Sequence, residues 1–172
     1  MGLKAQTVPV MIASNVAYAN ITCIVVSPIV ITKIQDMRFG TIMQGKGTII
    51  LPPDGSPPTS TGNISVGNSN NLPSVATFEV TDNLGNNPNT VRMYTEYTIT
   101  LPSTDVILTS TTGTSTMRVS NFTSNPTSTE KGTLVNGLGQ LSVGATLYVE
   151  SADQAIGQYT SAAPFPVTVN FN

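Results

Sequence analysis

Short runs in which apolar and polar residues alternate recur along the whole chain. This period of two places successive side chains on opposite faces, which is typical of strands with one buried face. Clusters of Pro, Gly, Asn and Ser separate the runs at 52–62, 82–89 and 124–132 and predict loops. The predicted strands are 7–13, 21–34, 47–51, 63–66, 75–81, 93–101, 105–109, 115–122, 133–135, 140–149 and 164–171. Their spacing of roughly ten residues, without a helical period, predicts an all-β sandwich or barrel.

Two stretches depart from this pattern. The run 21–34 is too long for one flat strand, and its Pro28 has no N–H to donate to a ladder. We therefore expect two strands there, or one strand that changes sheet at Pro28. Cys23 lies in the apolar part of this run and is expected to be a small buried side chain. Residues 151–157 are expected to form a helical turn or a broad loop.

Composition limits the classes of partner. Charged residues make up 9% of the chain, against about a quarter in an ordinary soluble domain. The 7 basic and 9 acidic residues give a net charge of −2, so electrostatics offers no basis for binding nucleic acid or an anionic membrane. No stretch reaches the ~18 consecutive apolar residues that suggest a membrane span. We predict neither a nucleic-acid partner nor membrane insertion.

The residues that usually carry catalysis and metal binding are scarce. The chain has no His and a single Cys, which excludes a Ser-His-Asp or Cys-His arrangement within one chain and any His-based metal site. Asp82 and its neighbours Asn83, Asn86 and Asn87 could offer oxygen ligands to calcium, although such residues are also typical of turns. Glu79 and Glu96 are isolated carboxylates, expected on solvated strand faces. The sequence therefore predicts no enzyme activity, no cofactor and no metal site.

Five ordered segments resemble the DUF4402 family, a bacterial group of secreted β-sandwich proteins. They are PIVITKIQDMRFGTI (28–42), YTITLPS (97–103), VSNFTSNP (119–126), LSVGATLYV (141–149) and GQYTSAAPFPVTVNFN (157–172). The resemblance implies an immunoglobulin-like antiparallel β-sandwich over 21–172 and an exported protein at the bacterial cell surface. It does not cover residues 1–20, which we interpret as an N-terminal extension strand or a retained leader.

The motifs also have structural interpretations of their own. In DMRFGT, Met37 and Phe39 are expected to face one way, and Gly40 to allow a bulge or turn where a side chain would clash. Two further motifs predict apolar strand faces. These faces are Tyr97, Ile99 and Leu101 in YTITLP, and Leu141, Val143, Ala145, Leu147 and Val149 in LSVGATLYV, the latter expected in a central strand.

The first functional hypothesis is assembly by strand exchange. Val8, Val10 and Ile12 occupy alternate positions in an extended segment ahead of the family-like region, with Thr7 and Ser14 on or beside its polar side. Such a segment can add to a sheet edge or groove of a neighbouring copy, and a head-to-tail contact of this kind builds a fibre. The predicted wall of the acceptor groove is the last strand, with Val167, Val169 and Phe171. The protein would then be a subunit of an extracellular filament or surface layer whose partner is itself.

Other interpretations stay open. Residues 1–19 also fit a retained signal peptide that ends in Ala-Tyr-Ala, or a first strand of the same sandwich. The alternative function is a secreted monomeric surface module that binds a glycan or protein ligand. Four tyrosines are candidates for its stacking platform: Tyr94, Tyr97, Tyr148 and Tyr159. For Tyr97, the phase shared with Ile99 and Leu101 favours a place in the core.

Overall fold

The computed structural model describes residues 19–23, 25, 28–67, 70–82, 84 and 95–171. Eleven strands lie within them: β1 Val30–Gln35, β2 Gly47–Leu51, β3 Thr59–Gly62, β4 Ala76–Thr81, β5 Glu96–Thr100, β6 Val106–Ser110, β7 Thr116–Asn125, β8 Gly132–Thr133, β9 Leu138–Val149, β10 Tyr159–Ser161 and β11 Thr168–Phe171. The described residues contain no helix, so the predicted all-β class is confirmed, and the turn or loop expected at 151–157 is non-helical. Across these ranges no helix is long and apolar enough to cross a membrane.

The strands form two antiparallel sheets of unequal size. The large sheet has the order β1-β4-β9-β7-β6-β10, with β2 pairing a further part of β9 and β3 pairing β2. The small sheet has the order β11-β5-β8. Side chains from the two sheets share one core cluster, which confirms the predicted sandwich.

Strand β9 is the centre of the large sheet. Its first half pairs with β4 and its second half with β2, while β7 pairs with much of its other edge. The predicted inward face of this strand is confirmed, because every one of its five residues is buried: Leu141, Val143, Ala145, Leu147 and Val149. At about 3.3 Å per residue, the 12 residues of β9 span about 40 Å.

The inner face of the large sheet is covered in two different ways. Over one half it packs against the small sheet, in a cluster of Ala76, Val80, Tyr97, Ile99, Leu134, Leu141, Val143 and Val169. The other half holds a second cluster of Ile49, Ile64, Met117, Val119, Ala145, Leu147 and Val149, and no strand of the small sheet contributes to it. Irregular segments cover that half instead, through Met37, Phe39, Ile42 and Val66.

Two local irregularities shape the strands around β9. Asn136 and Gly137 both have positive φ, 53° and 83°, and form the two-residue turn into β9 that an Asn-Gly pair favours. In β7 the register with β9 shifts between Ser120 and Thr123, where Asn121 has a φ of 52°. This bulge accompanies an inward position of Phe122, whose ring packs against both core clusters.

Several sequence predictions require correction. Within the described residues of the run 21–34 the structure has one strand, β1, which begins at Val30 rather than at Ile21. Cys23 is exposed, so the prediction of a buried thiol was wrong. Segment 52–62, predicted as loop, ends in strand β3, and the predicted strand at 63–66 is reduced to one bridge between Val66 and Ile42. The exposed TSTG of β3 has no apolar alternation that could have indicated a strand.

Tyr97 is the largest fully buried side chain of the core. Gly132 and Gly139 make room for it, since a Cβ at Gly132 would overlap the ring and one at Gly139 would lie 3.2 Å from the hydroxyl oxygen. The buried hydroxyl has no hydrogen-bond partner in the structure. The hydroxyl therefore contributes the cost of its own desolvation, while the ring contributes the packing.

Replacing Tyr97 with Phe removes the unpartnered hydroxyl and keeps the ring. We expect the free energy of unfolding to stay unchanged or to rise by about 1 kcal/mol. Tyr97→Ala, the matched truncation, should lower it by about 3–5 kcal/mol. Urea denaturation measures both changes, and a loss of more than about 1 kcal/mol for Tyr97→Phe would contradict an unpartnered hydroxyl.

Burial also raises the pKa of Tyr97 above its ordinary value of 10.0. The unfolded chain therefore releases this proton at a lower pH than the folded protein does. The stability contributed by the protonated group is fully present below pH 10 and is lost as the pH rises through the folded-state pKa. We expect the wild-type protein to lose stability above pH 10 more steeply than Tyr97→Phe does, in urea titrations between pH 8 and about 11. If the free energy of unfolding depended on pH in the same way for both proteins, the raised pKa of Tyr97 would be contradicted.

Candidate assembly site

A large open groove lies over the half of the large sheet that the small sheet does not cover. Its volume is about 1120 Å³. The floor consists of inward side chains of β6, β7 and β9, with Leu108, Val119 and Leu147 among them. One wall is segment 33–45 and the other is segment 154–165. The floor is apolar because alternate residues of these strands face the core rather than solvent.

The first wall is held by backbone hydrogen bonds to segment 65–74. Arg38 and Ser74 exchange two bonds of 2.8 Å, and Met43 N donates to Ser65 O at 2.9 Å. Gly40 has a φ of 78°, and a Cβ at this position would lie 2.9 Å from both Asn71 O and Pro73 Cδ. The predicted requirement for glycine at position 40 is therefore confirmed. Met37 and Phe39 on the same wall pack toward the second core cluster, as predicted.

The second wall is fixed to β6 and to its own turn. Strand β10 pairs with β6 from Tyr159 to Ser161. The Tyr159 hydroxyl donates to Ala155 O at 2.7 Å and lies 3.0 Å from Gln154 Nε2, which donates to it. Gln154 Nε2 also donates to Thr116 O at 3.1 Å, which connects this wall to the start of β7.

Contacts between opposite parts of the groove define its two ends. At one end Gln44 Nε2, on the first wall, donates to Gln154 O on the second wall at 2.8 Å. At the other end the ring of Phe165 meets that of Phe122 with centroids 5.1 Å apart and an interplanar angle of 38°. The groove thus has a polar end and an aromatic end, with an apolar floor between them.

Charge at the groove is confined to the first wall. Lys33 Nζ lies 2.7 Å from Asp36 Oδ1, and Arg38 follows in the same segment. The hydrogen bond and the positive charge of Lys33 hold the pKa of Asp36 below its usual range. Because both partners are well exposed, this ion pair contributes little to folding stability. The floor and the second wall carry no charged side chain among the described lining residues.

The predicted acceptor wall lies beside the groove rather than in it. Val169 faces Ile99 and Phe171 faces Tyr97 across the β11–β5 pair, and Val167 and Phe171 pack against the first core cluster. The three predicted residues are not among those that line the groove, whereas Phe165, two residues ahead of Val167, is. β11 is the end strand of the small sheet. Its role as an acceptor stays a prediction.

The predicted donor residues Val8, Val10 and Ile12 lie outside the described residues. The described part of the extension begins at Ala19. In the segment that follows, Ile21 and Val25 are 96% and 90% exposed and Cys23 is exposed as well. The donor role of residues 7–16 therefore stays a prediction, and the described apolar residues downstream of it, Ile21, Cys23 and Val25, face solvent.

The three described tyrosines of the predicted stacking platform do not lie together. Tyr97 is in the core, as its phase indicated, and Tyr159 lies in the groove. Tyr148 points away from the core and is covered by the Arg118 guanidinium, 4.0 Å from its ring centroid. Its hydroxyl accepts a bond of 2.6 Å from the Asn121 amide. Tyr94 lies outside the described residues. The three described rings therefore occupy three separate environments.

The carboxylates considered for chemistry have structural roles. Asp82 is buried and its Oδ1 accepts a bond of 3.0 Å from Leu84 N, as in a turn. Its possible calcium partners Asn83, Asn86 and Asn87 lie outside the described residues. Glu79 and Glu96 are exposed on strand faces, as predicted, and Glu96 lies 3.1 Å from Lys131. In the described part of the chain no cluster of three or more His, Cys, Asp or Glu side chains could hold a metal ion.

Sequence reasoning did not find the groove. Its floor residues had been predicted as strand residues, but alternation cannot show what covers an inward face. The segment 154–165 has no apolar alternation of its own, and its position over β6 depends on pairing between residues about 50 positions apart. The motif DMRFGT, which forms part of the first wall, was the one local feature of the sequence that pointed to this region.

Comparison with known proteins gives one match. The family model described as Domain of unknown function (DUF4402) matches residues 29–171. No curated protein and no solved structure matches the chain significantly. The matched region begins one residue before β1 and includes both walls and the floor of the groove, and it excludes Ile21, Cys23 and Val25.

Gly40 and Gly55 provide a matched test of the first wall, since their φ values are 78° and 79°. A Cβ at Gly55 would have no neighbour within 4 Å, whereas one at Gly40 would press on Asn71 and Pro73. We expect Gly55→Ala to lower the free energy of unfolding by about 1 kcal/mol and Gly40→Ala by about 2–4 kcal/mol. Urea denaturation of both variants measures the difference, and equal losses would contradict a rigid contact behind the wall.

Proposed function

The chain belongs to the DUF4402 family, a domain of unknown function, and from its groove we propose that it is a structural subunit of an extracellular filament or surface layer. In this proposal each subunit donates its N-terminal strand to the next one. The subunits then join head to tail, and the partner of each is a second copy of the same chain. The role requires no catalytic residue, cofactor or metal.

The observation that carries the proposal is the open groove. A space of about 1120 Å³ lies beside the half of the large sheet that the small sheet does not reach, between two irregular segments that bury the floor residues Val119 and Leu147. An extended segment from a neighbour would fill this space through main-chain hydrogen bonds and alternate apolar side chains.

The N-terminal segment has the chemistry of such a donor. Val8, Val10 and Ile12 would point to one face of an extended strand. No charged residue occurs between Lys4 and Lys33, so any part of this stretch can enter an apolar groove without desolvating a charge. Ten extended residues span about 33 Å, which is comparable with the length of β9.

The predicted acceptor wall adjoins the groove. Val167, Val169 and Phe171 belong to the chain that leaves the second wall at Phe165, and β11 ends the small sheet. A donated strand that follows the groove would reach the edge of β11 as it passes Phe165. This edge would then supply main-chain partners, while the groove floor would supply apolar contacts.

The composition of the surface is compatible with close packing between subunits. Charged residues are 9% of the chain, and desolvating charges is the main cost that opposes burying polar surface on assembly. A surface in which Thr, Ser and Asn replace charges lowers that cost. The same composition would serve a secreted monomeric binding module, which is why the decisive test concerns assembly.

Substituting Val8, Val10 and Ile12 together with Asn should abolish filaments while leaving the domain folded. Each change places a polar side chain on the face that must enter the neighbour, and each lies ahead of the region matched by the family model. Negative-stain electron microscopy of the full chain and of the triple variant measures the effect. We expect filaments from the unaltered chain and single particles from the variant.

Thr7→Asn with Ala13→Asn is the matched control, because both positions fall on the opposite face of an extended strand from Val8, Val10 and Ile12, and it should leave filaments intact. Filaments from the triple variant would place the assembly contact elsewhere in the molecule. Single particles from the unaltered chain would overturn the filament proposal and favour the monomeric binding module.

A further inference from the structure

We propose that the groove binds the apolar run around Cys23 of a second copy. The run is defined here by Ile21, Cys23 and Val25, which are spaced two residues apart and would share one face of an extended strand. This inference rests on the proposed head-to-tail assembly and identifies which part of the donated chain occupies the groove. It places that part downstream of Val8, Val10 and Ile12, which in this arrangement pair with the edge of β11 beside the groove.

Exposure is the first observation. In the sequence this run has the strongest β-strand character, with Ile, Thr, Cys and Val in succession. Nevertheless Ile21 is 96% exposed, Val25 is 90% exposed and Cys23 is exposed, so they make almost no contact with their own chain. Side chains of this kind are normally buried in a sheet, and an exposed apolar series marks an interaction site.

The shape of the groove is the second observation. Its volume of about 1120 Å³ exceeds the range of about 300–1,000 Å³ that is usual for small-molecule sites. It extends from the aromatic contact of Phe122 and Phe165 to the hydrogen bond between Gln44 and Gln154. An apolar space of this volume with a sheet as its floor fits an extended peptide better than a compact ligand.

The distribution of charged residues also favours the run around Cys23 as the occupant of the groove. The lining is uncharged apart from Lys33, Asp36 and Arg38 on the first wall. Residues 5–32 contain no charged side chain, so the run and its flanks bring none into the groove. A charged peptide would have to bury unpaired charges against Leu108, Val119 and Leu147, at a large desolvation cost.

Cysteine cross-linking tests the inference in the full chain, because Cys23 is the single cysteine. Leu108→Cys places a thiol on the groove floor and Met43→Cys places one on the first wall. A disulfide forms when the two Cα atoms approach within about 7 Å. After assembly and mild oxidation, a non-reducing gel should show a ladder of covalent multimers for at least one of these variants.

Two controls isolate the contact. Thr133→Cys puts a thiol on the exposed side of β8, away from the groove, and should give at least tenfold less cross-linked product. Adding Cys23→Ser to each groove variant should reduce the ladder to dimers, which join two groove cysteines. Ile21→Asp with Val25→Asp is a second, cysteine-free variant, and we expect it to lose filaments while it retains the urea midpoint of the unaltered chain.

The outcomes separate this inference from the filament proposal. Filaments that form without cross-links at position 43 or 108 would overturn the inference and leave filament assembly standing. Equal cross-linking at position 133 would overturn it as well. A disulfide within one chain, seen as a fast-migrating monomer, would show that the run fills its own groove and would overturn it. Absence of filaments from the unaltered chain would overturn both proposals together.

Discussion

The structure depends on the inward face of β9. This face is longer than the small sheet that packs against it. Its five buried residues, Leu141 to Val149, extend through both halves of the core. The small sheet has three short strands and reaches one half alone. Burying a large aliphatic side chain contributes about 1.5–3 kcal/mol, so the other half also has to be covered. Irregular segments cover it in part, and the groove is the space that they leave.

Hydrogen bonds anchor each wall of the groove to its own side of the molecule. The backbone of the first wall is bonded to Ser65, Asn71 and Ser74, and a Cβ at Gly40 would lie 2.9 Å from Asn71 O and Pro73 Cδ. The second wall is held through β10 and the hydrogen bonds of Gln154 and Tyr159. The hydrogen bond from Gln44 to Gln154 joins the two walls.

The sequence predicted those features that depend on local alternation, and it missed those that depend on distant packing. The buried faces of β5 and β9 follow from period-two patterns. The need for glycine at position 40 follows from its place in the motif DMRFGT. Strand β3 was missed because TSTG is exposed on both faces and pairs with β2 through its backbone. The run at 21–25 was misinterpreted because alternation shows that a strand has an apolar face, but not which sheet covers it.

That misinterpretation has a physical consequence. Exposed apolar strands invite edge-to-edge aggregation, and proteins usually protect against this with charges, proline or a covering segment. Here the exposed run carries no charge, and the residues from Lys4 to Lys33 contain none between them. Leaving Ile21 and Val25 in water forgoes about 3–6 kcal/mol relative to burial of both side chains. A specific site that removes the run from water would offset this loss, and in the proposed head-to-tail contact that site is the apolar floor of the groove on a second copy.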